Sequence, residues 1–170
     1  MPNYLALFRD NKLASARNKI ISGQLLALND DIAEHGIVLS EADCKDIAEF
    51  RHEALIESDR VEVGLGIAGR IVREFADSGY VDQQNFRQVV EDLLECFYTV
   101  KNETEDKATD DQVMEFLHYL FETAVGGDTA KLYEAEAMDA FVSQMRGDLR
   151  FKEYEDTVDD DGKAKDSQNG

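Results

Sequence analysis

The sequence predicts a mainly α-helical protein: a single five- to six-helix domain over residues 1–151, followed by a disordered acidic tail over residues 152–170. Three observations carry this. The 170-residue chain has one proline, Pro2, so the strongest helix breaker is missing from all that follows. Apolar residues recur at three- and four-residue spacing, and capping residues mark where the periodic stretches begin and end. From Lys152 onward, seven acids and three lysines leave too little apolar side chain to offset the entropy of ordering.

"ASARNKIISGQLLALNDDIAEHG" reads as a first helix ending near Gly36, with Ile20, Ile21, Leu25, Leu28 and Ile32 as its apolar contacts and Gly23 weakening its middle. "IVLSEADCKDIAEFRHEALIESD" supplies the second, with Ser40 as N-cap and Asp43 completing an imperfect capping box. The "IVL" and "VEV" flanking it allow one very short strand pair. Ile67, Ile71, Val72 and Phe75 mark a third, shorter helix that stops at Gly79. Asp82 caps the longest, "QQNFRQVVEDLLECFYTVKNETED". Thr109 and Gln112 form a capping-box pair for "DDQVMEFLHYLFETAV", which Gly126 and Gly127 terminate. A sixth stretch, with Ala137, Met138, Phe141, Val142 and Met145, runs to Gly147.

Charge narrows the function. There are 37 acidic and 18 basic side chains, a formal net charge of −19. Such a surface repels phosphate backbones and anionic membranes, which argues against nucleic acid and membrane as partners. It suits high solubility and a basic protein partner, with the chain acting alone or as a homo-oligomer. The N-terminal residues show no basic region followed by a long apolar run, and no apolar segment approaches the roughly 18 residues of a spanning helix. Cys44 and Cys96, each inside a helical stretch, read as buried thiols of a reducing cytoplasm rather than a disulfide framework.

Several motifs invite chemistry. Gly64-Leu65-Gly66-Ile67-Ala68-Gly69 is a literal G-x-G-x-x-G. A pyrophosphate site needs a buried strand before those glycines and a second parallel strand about 30 residues on. "RVEV" and "GYVD" supply neither, so the motif reads as a turn that starts a helix. At most it offers a small anion the N–H groups of that turn, beside Arg60 and Arg70. "EFRH" (Glu49 to His52) and "EFLH" (Glu115 to His118) match the Glu-x-x-His pairs of di-metal bundles, with Glu34, Glu91 and Glu95 as further carboxylates. At about 100° per residue, Glu49, Glu91, Glu95, Glu115 and His118 point outward and His52 lies well off the inward side, so no metal site is expected. Glu74 to Asn85 resembles an EF-hand loop but lacks the third-position oxygen ligand and the closing glutamate. Arg51 stands out because it falls inside the apolar stripe between Ile47 and Leu55. Its guanidinium must reach water, pair with a carboxylate or bind an anionic group.

At "RVEVGLGI", "DSGYVDQQNF", "FYTVKNETEDKATDDQV" and "MEFLHYLFE" the chain resembles an uncharacterised bacterial family of unknown function found in clostridial-type firmicutes, over roughly residues 20–150. The resemblance implies a soluble, cytosolic helical protein and brings no catalytic residue with it. The expectation is therefore a non-catalytic protein–protein interaction module without cofactor or metal. The alternative is a small anionic-ligand module or weak enzyme centred on Arg51, Arg60, Gly64, Gly66, Gly69 and Arg70.

Overall fold

The computed structural model describes Ala6 and residues 9–147. The acidic tail expected over 152–170 lies outside them. Seven α-helices follow among the described residues: α1 (Asn11–Ala27), the short α2 (Asn29–Ile32), α3 (Glu41–Glu57), α4 (Ile67–Phe75), α5 (Phe86–Glu103), α6 (Asp110–Tyr119) and α7 (Glu136–Arg146). No strand is present among these residues, and no helix is long and apolar enough to cross a membrane.

Local chemistry accounts for the boundaries. The Asp10 carboxylate accepts the N–H groups of Lys12 and Leu13 and opens α1. What reads in sequence as one helix to Gly36 breaks at Leu28, continues through α2 and one 3₁₀ turn, and closes on Gly36 in the left-handed region. Ser40 with Asp43, and Thr109 with Gln112, form complete capping boxes for α3 and α6. Asp82 accepts the N–H groups of Gln84 and Asn85, so its cap sits one turn before α5 begins at Phe86. The third helix ends at Phe75, ahead of Gly79. Gly147, at φ 71°, terminates α7.

The expected strand pair is replaced by side-chain amides. Asn29 bonds both the N–H and the C=O of Leu39. Gln83 does the same for Val38, at 2.7 and 2.6 Å. Val38 and Leu39 thus have their backbone groups satisfied without a second strand.

α5 is the centre. It packs against α3, α4, α6, α7 and the 3₁₀ segment Thr129–Glu134, and is buried around most of its circumference. Each fully buried Leu, Val or Phe there contributes about 1.5–3 kcal/mol of transfer free energy. Glu91, expected at the surface, is buried by this surround and held by Arg87 at 3.0 Å. α6 runs into a π turn, Leu120–Ala124. The wider turn shifts the helical phase, so Phe121 enters the core while Ala124 is exposed; Phe116, ahead of the turn, is half-buried against Phe141 of α7. α1 lies at the edge, packed on α3 and α2. Its inward residues are Ala14, Ile21 and Leu25, followed by the buried cap Leu28; Ile20, expected to supply core contacts, is 63% exposed.

Candidate functional site

Of the six residues around the glycine turn, Arg51, Gly64 and Gly66 meet in a small polar knot, Arg60 and Arg70 flank it, and Gly69 packs inside α4. α3 carries Arg51 in its apolar stripe at 1% exposure. The guanidinium neither reaches solvent nor stays unpaired. Its Nη2 donates to the Gly64 carbonyl at 2.6 Å and lies 3.5 Å from Glu62 Oε2. Its Nε is buried without a hydrogen-bond partner. The same Glu62 carboxylate accepts the Ile67 N–H at the start of α4, at 3.2 Å, and the Tyr98 hydroxyl from α5. Burial, and then the neighbouring Glu62 charge, push the Tyr98 phenol well above its ordinary range, which keeps it a donor.

Backbone freedom at the turn makes this possible. Gly64 has φ 80° and Gly66 φ 59°, ψ −135°. A Cβ on Gly66 would fall 1.8 Å from Glu62 Oε2. Glycine there admits the carboxylate to the N-terminus of α4, the place where an external anion would otherwise bind. Gly69 serves differently: it is helical and buried, and a Cβ would press on Leu65 at 2.6 Å.

Arg60 and Arg70 flank the knot, and both are engaged. Arg60 bonds Asn102 at 2.6 Å and pairs with Asp106, whose carboxyl it holds below the usual range. Arg70 bonds Glu74 at 3.0 Å and Asp111 at 2.8 Å. Arg60, Gly66 and Arg70 line one open cleft of about 400 Å³, floored by Phe97 and Tyr98 and edged by Glu62 and Asp110. Arg51, Gly64 and Gly69 do not line it. Sequence reasoning missed Glu62 and Tyr98. Glu62 stands five residues before Ile67, a spacing with no standard motif. Tyr98 reads as one more apolar residue of α5.

The other candidates disperse. Glu49, Glu95 and Glu115 are exposed, and His118 stacks on Phe75 with ring centroids 4.0 Å apart. No group of three or more His, Cys, Asp or Glu able to hold a metal occurs among the described residues. In the EF-hand-like segment, Asn85 spends its side chain on Asp82 N–H and the Tyr80 carbonyl. Cys44 and Cys96 are buried free thiols, pushed by burial up to about 11 and about 12.

A second surface comes from the exposure of Ile20. On the outward side of α1, Leu13, Ala16, Ile20, Gly23 and Ala27 recur at alternating spacings of three and four, and all are exposed. Leu13 (47%) and Ile20 (63%) form a ridge. Ala16 and Gly23 form a notch, and nothing lies within 4 Å of a Cβ built on Gly23. Beside the notch, between α1 and α3, runs an open groove of about 1150 Å³.

A family model described as a family of unknown function (DUF6323) matches residues 24–151, and the chain belongs to that family. No curated protein and no solved structure matches the chain.

Proposed function

We propose that this protein is a non-catalytic interaction module that docks another protein on the outward face of α1. The observation that supports the reading is a helix apolar on both sides, with Leu13 and Ile20 left in water. Large aliphatic side chains aligned along one exposed helix face mark interaction surfaces more often than isolated apolar residues do. The setting we infer from the family resemblance and the two free thiols is the bacterial cytoplasm. The test is a comparative pull-down at low salt with the wild-type chain, Ile20→Glu and a control, Tyr133→Glu, at another exposed apolar residue. Proteins retained by wild type and control but lost from Ile20→Glu support the reading. An identical set on all three, or an empty one, overturns it.

The second reading is a small-anion site, favoured by one fact: Arg60, Gly66 and Arg70 line a single cleft. It has competition from within, because both guanidinium groups already hold carboxylates and Glu62 already caps α4. A rise in melting temperature with inorganic phosphate, abolished in Arg60→Ala and Arg70→Ala, would support it. Equal shifts in all three proteins would remove it.

A further inference from the structure

Building on that docking role, we infer that the partner presents an acidic amphipathic helix, laid along the Ala16–Gly23 notch between the Leu13–Ile20 ridge and a row of lysines.

Charge singles out this face. The chain carries a net −19, yet from Asn11 to Leu28 it has three basic residues and no acid. Of the other cations, Arg60, Arg70, Arg87 and Lys101 each hold a carboxylate, and exposed Arg73 is a single cation on α4 with no ion pair among the described residues. Lys12, Lys19 and Lys45 form no ion pair among the described residues, and all three line the α1–α3 groove. Lys45 shares the α3 wall with Glu41 and Glu49, so the positive rim is the α1 side, with Lys12 and Lys19 next to the apolar ridge. On the α1 surface Lys12 and Lys19 come one position before Leu13 and Ile20, where flanking charges select a partner in paired helices.

Shape agrees. Ala16 and Gly23 lie seven residues apart, two turns of helix, and their lack of bulk lets a second backbone come close. The partner's large apolar residues would fill the notch while its acidic flank met Lys12 and Lys19. A second copy of this chain fits less well, since pairing α1 with itself brings like lysines together.

The test uses two four-heptad peptides with the same Ile/Leu seam, one carrying Glu and the other Lys at every flanking position. Like charges keep each peptide from pairing with itself. Fluorescence anisotropy against the full chain should show the Glu peptide binding at least about tenfold tighter, and weakening about tenfold between about 50 and about 300 mM salt. Binding should vanish in Ile20→Glu and weaken about tenfold in Lys12→Glu/Lys19→Glu, with far-UV circular dichroism unchanged in both. Equal or tighter binding of the Lys peptide overturns the acidic-partner inference and leaves the docking role standing. No binding of either peptide overturns it as well, and a dimer by sedimentation that Ile20→Glu dissolves would name a second copy as the occupant. The docking role itself is tested by the pull-down and by the exposure of Ile20, not by these peptides.

Discussion

Replacing Gly66 by alanine should be the most damaging change in the glycine motif. Two costs add. Alanine at φ 59°, ψ −135° occupies a region open essentially to glycine, at about 1–3 kcal/mol. Its Cβ would stand 1.8 Å from Glu62 Oε2, so the carboxylate must leave. Arg51, at 1% exposure, then keeps only the Gly64 carbonyl, and unpairing a buried charge costs about 3–5 kcal/mol. Glu62 is 18% exposed and can swing toward water, which recovers part of this. The expected loss is about 3–6 kcal/mol, a large share of a total stability of about 5–15 kcal/mol. Gly64→Ala meets no atom within 4 Å and should cost only its backbone strain, about 1–2 kcal/mol. Gly69→Ala is helical and need only shift Leu65, so it should stay within about 1 kcal/mol. The assay is urea unfolding followed by far-UV circular dichroism, comparing midpoints at constant slope. Gly66→Ala within about 1 kcal/mol of wild type, or Gly64→Ala as the costlier change, would refute the assignment of Gly66 to admitting Glu62.

Other expectations follow from the same contacts. Arg51→Ala should destabilise by about 3–5 kcal/mol, whereas Arg51→Met combined with Glu62→Gln should recover most of that loss, because a buried ion pair is replaceable by neutral groups but not divisible; urea midpoints of the two variants check both. Burial, with Arg17 and Arg51 nearby, lowers the His52 pKa below its ordinary 6.5. The unfolded chain therefore binds the proton first, so stability is full above pH 6.5 and falls as pH drops through the lowered folded value. Urea midpoints at about pH 7.5 and 5.5 should show a loss that His52→Gln reduces. Thr109→Ala removes one half of the α6 capping box and should cost about 1 kcal/mol in the same assay.

Much of the fold was legible because local chemistry decides it. Ser40–Asp43 and Thr109–Gln112 announce two helix starts, Gly36 and Gly147 two stops, and the spacing of Cys44, Ile47, Ala48 and Leu55 gives the buried face of α3. Arg51 was recognisable as a problem from its place in that face, though not its solution, since Glu62 reaches it from the glycine turn and is itself held by Tyr98 of α5. What failed depended on tertiary context. Glu91 is inward only because α5 is surrounded, a fact that periodicity within one helix does not carry. Ala124, which falls on the Val113–Leu117–Leu120 face at about 100° per residue, is exposed because a π turn advances the chain by a different angle per residue. Ile20 was given to the core because two adjacent isoleucines cannot be told apart by an apolar stripe; Ile21, at 2% exposure, is the one that packs.

That last distinction bears the functional weight, and one comparison tests it: the urea-unfolding stability of Ile20→Glu against Ile21→Glu. If the Ile20 face is free in the folded chain, Ile20→Glu should stay within about 0.5 kcal/mol of wild type. Ile21→Glu, which buries an unpaired carboxylate, should cost several kcal/mol or prevent folding. A loss above about 2 kcal/mol for Ile20→Glu would put Ile20 inside the fold and leave α1 with no face to offer a partner.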